Sequence, residues 1–227
     1  TSWLYRCLTA HPAVCMPNNK REIYYLGGEI VRERGTDWYF SLTEGCDSAS
    51  ITGDVSVEYL YDPAAAEAVQ AHLPQVKLIA ILRNPVERAI SAYFWKLRRG
   101  RVKEFDLNKG LRRAIDAWNQ RTASNEIERS KHVHDLIARG LYSPQLERYV
   151  QRFPPKNLLV INYAEIMRQP EEVVHAVYDF IGVDASHRPS VINSQPKRNS
   201  YNPLLMRLEH AAPDLPLMGA FVDALHR

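Results

Sequence analysis

The sequence predicts an α/β fold: a single domain over residues 1–227, with a mostly parallel central sheet flanked by helices. Three observations predict it. Val76-Lys77-Leu78-Ile79-Ala80-Ile81-Leu82 and Asn157-Leu158-Leu159-Val160-Ile161-Asn162-Tyr163 are short, apolar runs, the pattern of strands covered on both faces in a parallel sheet. Helical periodicity follows each run, and strand–helix alternation makes neighbouring strands parallel. With 227 residues, of which 45% are hydrophobic and 24% charged, the chain is long enough to bury one core.

Taken in order, Thr1 to Leu8 reads as a helix opened by hydroxyl residues. His11 to Pro17 reads as a turn and a short strand. Lys20-Arg21-Glu22-Ile23-Tyr24-Tyr25-Leu26 sets a carboxylate ahead of an aromatic pair; alone, such a Glu is an ordinary solvated charge. Asp37 caps an aromatic helix over Gly35 to Leu42, and Ile51 to Leu60 is a strand feeding a turn and a helix. Asp62-Pro63 starts a helix that runs through His72 and stops before Pro74.

After the strand at 76–82, Asn84 can cap a helix and Pro85 can take its first position, where a missing N–H costs nothing. That helix runs into a basic stretch, Trp95 to Lys103, whose cations suit a helix carboxyl end or an acidic acceptor. Residues 107–118 and 127–138 have helical spacing. His132 and His134, two apart, face different sides of the second, so no metal site is expected there. Ser143 and Pro144 start a helix to Arg152, and Pro170 to Ile181 is an amphipathic helix ended by Gly182. Gln195 to Pro203 is a polar loop carrying Lys197 and Arg198, and a helical segment follows it to Arg227.

Composition narrows the function classes. A formal charge of +3 suits an anionic ligand and is too small to imply nucleic acid. No apolar run approaches the roughly 18 residues of a membrane span, and no signal peptide or Asn-x-Ser/Thr sequon is visible. Cys7, Cys15 and Cys46 are odd in number and lack Cys-x-x-Cys spacing. The expectation is therefore free thiols in a reducing compartment, without a disulfide framework or a zinc site.

The stretch that carries chemistry runs from Arg83 to Tyr93. It stands where a strand's carboxyl end meets a helix amino terminus, the place where open α/β sheets bind ligands and where N–H groups and the helix dipole favour an anion. Arg83 adds a planar guanidinium fork, and Ser91, two turns into the helix, can add a hydroxyl. Singly, these are a surface arginine and a helix serine. As a whole, Leu82-Arg83-Asn84-Pro85-Val86-Glu87-Arg88-Ala89-Ile90-Ser91-Ala92-Tyr93 closely resembles the 3′-phosphate-binding segment of sulfotransferases that use 3′-phosphoadenosine 5′-phosphosulfate (PAPS). A looser resemblance to their heparan-sulfate-type and bacterial branch extends from Thr1 to about Gly182.

The resemblance implies a P-loop-like nucleotide-binding architecture. It implies transfer of a sulfuryl group from PAPS to an acceptor hydroxyl, or less readily an amine, with adenosine 3′,5′-bisphosphate (PAP) as the leaving product. Arg83 and Ser91 would bind the 3′-phosphate. Thr1 and Ser2 match the last residues of the family's phosphosulfate-binding loop, whose strand, lysine and glycine are expected ahead of the first residue given. Glu22 matches the proposed general base, an activating group that an alcohol nucleophile needs. Arg21 stands where many relatives have lysine, and Val55 where some have one.

Trp38-Tyr39 resembles a segment beneath the acceptor cleft, Gly140-x-Tyr142-x-x-x-Leu146 a further family segment, and Lys197 with Arg198 a loop that closes over the nucleotide phosphates. The resemblance leaves the acceptor open among a carbohydrate, a lipid, a metabolite and a carrier-bound chain, anionic acceptors included. No metal is expected. The expected location is the bacterial cytoplasm, or the Golgi lumen if a membrane anchor lies outside this sequence. Two other readings remain: a P-loop nucleotide or sugar kinase, which needs a Gly-Lys-Ser/Thr and a magnesium-binding acid not seen here, and a catalytically inactive PAPS-fold module.

Overall fold

The computed structural model describes residues 1–17, 26, 29–46, 51–120 and 131–193. The elements in chain order are α1 (Ser2–Thr9), β1 (Val14–Cys15), α2 (Glu29–Ser41), β2 (Ile51–Thr52), α3 (Glu58–Tyr61), α4 (Ala65–His72), β3 (Leu78–Leu82), α5 (Pro85–Arg98), α6 (Leu107–Gln120), α7 (Lys131–Ala138), α8 (Tyr142–Val150), β4 (Leu158–Asn162), α9 (Tyr163–Arg168) and α10 (Pro170–Ile181). Contacts gather the described residues into two compact units, one made of residues from 1–82 and 142–193 and the other of residues from 83–141.

In the first unit both strand pairs are parallel. β1 lies beside β2 with Val14 opposite Ile51, and β3 lies beside β4 in register from Leu78–Leu158 to Leu82–Asn162. The period-two alternation of a strand decides what each residue touches. Ile79, Ile81, Leu159 and Ile161 join a core with Trp3, Leu4, Cys7 and the α10 residues Val174, Val177 and Tyr178. Leu78 and Leu158 join a second core with Leu26, Val69, Tyr149 and Phe153. That second core reaches only the start of the strands, and Val160 remains 46% exposed. The expectation of strands buried on both faces is therefore corrected: every β3 residue is half-buried.

Several boundaries also move. α2 begins at Glu29 and is broken at Gly35, whose φ of 80° lies where a side chain is disfavoured. α8 starts at Tyr142, so Ser143 stands inside it rather than capping it. Asn162 opens the short α9 through a capping box with Glu165, the Asn-x-x-Glu signature of a helix start.

Cys15 and Cys46 form a disulfide with their Cα atoms 5.9 Å apart, while Cys7 is a buried free thiol. This corrects the expectation of three free thiols. Cys15 ends β1, and the turn in which Cys46 N donates to Thr43 O brings the second sulfur to it.

The second unit is helical among the described residues. Tyr93 and Leu97 of α5 pack with Val102, Ala114 of α6 and Leu136 of α7. The Tyr93 hydroxyl donates to Glu104 O, and its ring lies so close to Gly110 that a Cβ there would stand 1.9 Å from the hydroxyl oxygen.

Candidate functional site

α5 begins as its sequence requires. Asn84 caps it, its Oδ1 accepting from Val86 N at 3.0 Å and Glu87 N at 3.2 Å, and Pro85 takes the first turn. This changes the expectation of N–H groups open to an anion. Two of the first-turn donors are already taken by Asn84, and Pro85 has none to give. An anion at this end meets the helix dipole and side chains instead.

Arg83 provides the nearest such side chain. Its Nε donates to Glu87 Oε2 at 3.1 Å across one turn, which holds the guanidinium beside the helix start. Ser91 stands further along α5, half-buried and off the face formed by Ala89, Tyr93 and Leu97. The end of α7 braces this part of the helix. Arg88 Nη2 donates to Leu136 O, and Gly140 lies close enough that a Cβ on it would stand 3.3 Å from Pro85 Cβ.

The basic stretch after α5 is less solvated than its charges imply. Lys96 is buried, 4.0 Å from Asp135 Oδ2, which Arg139 Nε approaches to 3.6 Å. Burial lowers the Lys96 pKa against the opposing pull of Asp135. The Arg99 and Arg101 guanidinium groups lie over the Trp95 ring at 5.2 and 5.0 Å.

Thr1 and Ser2 are exposed at the head of α1, in the first unit, whereas Arg83 and Ser91 belong to the second. Thr1 is the N-cap residue, and its O accepts from Tyr5 N at 2.9 Å. The helix behind it is pinned: Trp3 Nε1 donates to Ile192 O at 3.1 Å and Tyr178 Oη to Cys7 O at 2.7 Å. Glu22, Lys197 and Arg198 lie outside the described residues.

One polar cluster escaped the sequence reading. Asp54, just past β2, receives two hydroxyls on one oxygen: Tyr59 Oη at 2.6 Å and Tyr39 Oη at 3.3 Å. Burial pushes its carboxyl up to about 6, against the lowering effect of both tyrosine bonds. Burial and the neighbouring Asp54 together push the Tyr59 phenol far above its ordinary value. A lone Asp after a Gly carries no signal of this, because its partners are 5 and 15 residues away.

Among the described residues no acidic, His and Cys group is arranged to hold a metal, and no helix is long and apolar enough to cross a membrane.

A strand leading through an Arg-Asn-Pro turn into a capped helix, in a parallel α/β framework, is the architecture of a P-loop-like nucleotide-binding fold. Residues 1–204 match the sulfotransferase domain family, and the chain belongs to it. It is 28% identical over 155 residues to the human heparan sulfate glucosamine 3-O-sulfotransferase 6, an alignment covering 66% of this chain and 41% of that protein. It is 27% identical over 195 residues to the Bos taurus bifunctional heparan sulfate N-deacetylase/N-sulfotransferase 2, covering 81% of this chain and 21% of that one. The chain thus spans less than half the length of either relative. A sulfotransferase crystal structure from Alicyclobacillus acidocaldarius superposes with a TM-score of 0.69 at 27% identity, covering 98% of this chain and 90% of that one. The sulfotransferase domain from the curacin biosynthetic pathway, at 13% identity and a TM-score of 0.53 over 86% of this chain and 73% of its own, shares the fold.

Proposed function

We propose that this chain transfers the sulfuryl group of PAPS to a carbohydrate hydroxyl. The observation that carries the reading is the Leu82-to-Tyr93 string at a strand-to-helix junction, inside a family match that spans residues 1–204. The donor fits what stands there. With the Val86 and Glu87 N–H groups taken by Asn84, recognition of the 3′-phosphate rests on the Arg83 guanidinium, the Ser91 hydroxyl and the helix dipole. Thr1 and Ser2 take the phosphosulfate end, and Lys197 with Arg198 the loop side.

In the transfer, the acceptor oxygen forms a bond to sulfur as the bond from sulfur to the 5′-phosphate oxygen breaks, and PAP leaves. Glu22 takes the acceptor proton. The reaction needs in-line placement of acceptor and leaving oxygens and fixed positive groups around the developing charge. A carbohydrate acceptor draws support from the two mammalian relatives, both named for heparan sulfate. One of them is an N-sulfotransferase, which keeps an amine acceptor as the second reading.

The Cys15–Cys46 disulfide favours an oxidising compartment over the cytoplasm, since thiols stay reduced in the latter.

Incubation with PAPS and a panel of desulfated and N-deacetylated polysaccharides, read by mass spectrometry, tests the proposal. Gain of one sulfuryl group on an acceptor with stoichiometric release of PAP is the expected result. Release of PAP with no sulfated carbohydrate would overturn the acceptor class, and the absence of any transfer would leave a binding module.

A further inference from the structure

Inside the second unit, α5 and the end of α7 bring four cations together around one carboxylate. Lys96 is 7% exposed. Its ammonium offers three donors, yet its one ion-pair contact among the described residues is Asp135 Oδ2 at 4.0 Å, too long for a hydrogen bond. Arg139 Nε approaches the same oxygen more closely, at 3.6 Å. The other charged groups that act on Lys96 are the guanidinium groups of Arg101 and Arg88. Four positive side chains thus share a single negative one.

The helix ends do not absorb this charge. Carbonyl groups at a helix carboxyl terminus are ready acceptors for lysine and arginine side chains, but here backbone N–H groups take them. Arg99 N donates to Trp95 O at 3.2 Å, Gly100 N to Leu97 O at 3.0 Å and Arg101 N to Lys96 O at 2.9 Å. At the end of α7, Arg139 N donates to Asp135 O at 3.3 Å and Gly140 N to Ile137 O at 2.9 Å. Arg88 alone of the four cations is used on a carbonyl shown here, its Nη2 donating to Leu136 O. Arg101 is exposed, its guanidinium over the Trp95 ring at 5.0 Å, and the Arg139 side chain is 22% exposed. Both give the cluster an approach from solvent.

We propose that Lys96, Arg101 and Arg139 form a binding site for a tetrahedral oxyanion of the sulfate or phosphate class, with Asp135 holding two of the three cations together. A buried charge that lacks a hydrogen-bonded partner costs free energy. A water molecule answers the ammonium's need for acceptors and leaves the positive excess untouched, whereas a dianion answers both. Two guanidinium forks and an ammonium are the donors that suit such an anion. Burial, with the three arginines, lowers the Lys96 pKa against the pull of Asp135, and a bound anion adds to that pull. The site is distinct from the Arg83–Ser91 junction, because Lys96 lies about 16 Å further along α5 than Pro85 at about 1.5 Å per residue. It does not depend on the proposed transfer.

Urea denaturation with PAP at saturation, which keeps the Arg83–Ser91 junction occupied, tests the site. Sodium sulfate, sodium phosphate or glucosamine 6-sulfate is titrated against sodium chloride of matched ionic strength, in the wild type, Lys96→Met and Arg101→Gln. The wild-type midpoint is expected to rise saturably with the oxyanions and not with chloride. Arg101→Gln is expected to weaken the apparent affinity on the order of tenfold, and Lys96→Met to abolish the saturable rise. The general stabilising action of sulfate does not saturate and is common to all three proteins. PAP affinity by calorimetry is expected to stay within about twofold in both variants, and Arg101→Gln, at an exposed side chain, carries the test should Lys96→Met not fold. A saccharide sulfate that binds tenfold or more tightly than the free ions, and loses this in the variants, identifies a group carried on a chain; equal affinities identify the free oxyanion. The same saturable rise in all the proteins, or none in the wild type, overturns the site.

Discussion

Arg83 is already engaged before any nucleotide arrives, since its Nε donates to Glu87 across one helical turn. That contact is exposed and worth little by itself, so its cost to phosphate binding is small and its gain is a held guanidinium. Arg83→Ala should weaken PAP by the loss of a charged hydrogen bond, about 1.5–3 kcal/mol, and leave adenosine 5′-phosphate nearly unaffected. Calorimetry with both nucleotides checks this, and equal weakening of the two would refute the 3′-phosphate assignment. Glu22→Gln should lower turnover on the order of a hundredfold while nucleotide affinity holds, as expected when a base acts only as the bond to sulfur forms. Asp54 makes the stability depend on pH. Its folded carboxyl is raised from 3.8 to about 6, so the folded state holds the proton more tightly than the unfolded one. Its contribution to stability is therefore greatest below pH 4, declines as pH rises to about 6, and is flat above. Relative to Asp54→Asn, the wild type should lose up to about 3 kcal/mol across that window, read from urea midpoints at each pH. Arg83 and Ser91 stood out as candidates because their signal lies within one local string. Asp54 was not, because burial and two sequence-distant phenols give it its character.

At the scale of elements, α5 is the piece whose sequence states its structure most fully. Asn84 and Pro85 announce the start, and the helix begins at Pro85 with the Asn84 side chain on two N–H groups. What α5 packs against was not announced. Tyr93, the last residue of the motif string, lays its ring over Gly110 of α6 and donates its hydroxyl to Glu104 O. The glycine is needed there for close approach rather than for its backbone angle. Gly110→Ala would push the tyrosine off that carbonyl, so we expect a loss of about 1–3 kcal/mol in unfolding free energy, measured by chemical denaturation. Wild-type stability in that variant would mean the ring moves without cost. The two central strands show the converse limit. Their apolar runs located them to within two residues, yet the runs predicted cover on both faces, and Val160 is 46% exposed. Composition reports that a residue can be buried, while the reach of the packing helices decides whether it is.

For the molecule as a whole, the Cys15–Cys46 link closes a loop of 31 residues in sequence separation that contains Glu22 and Tyr39. Closing such a loop restricts the unfolded chain and should stabilise the fold by about 3–4 kcal/mol. Under a dithiol reductant the melting temperature should fall. Before reduction the unfolded chain should show one reactive thiol, since two of its three cysteines are paired. Three thiols without reductant would refute the disulfide and the oxidising location with it. In the native protein Cys7 should react slowly, its thiol pushed up to about 11 by burial. By itself the sequence determined the α/β class, the parallel strands, the strand–turn–helix at 78–98 and the string that identifies the family. Those features follow from backbone sterics, capping and side-chain periodicity, which act over a few residues and are written in order along the chain. Only the tertiary structure decided that Cys15 meets Cys46, that Asn84 occupies the N–H groups expected for an anion, that Lys96 is buried, and that Tyr39 and Tyr59 converge on Asp54. Each of these depends on which distant surfaces meet and how much water they exclude, and neither spacing nor composition records that.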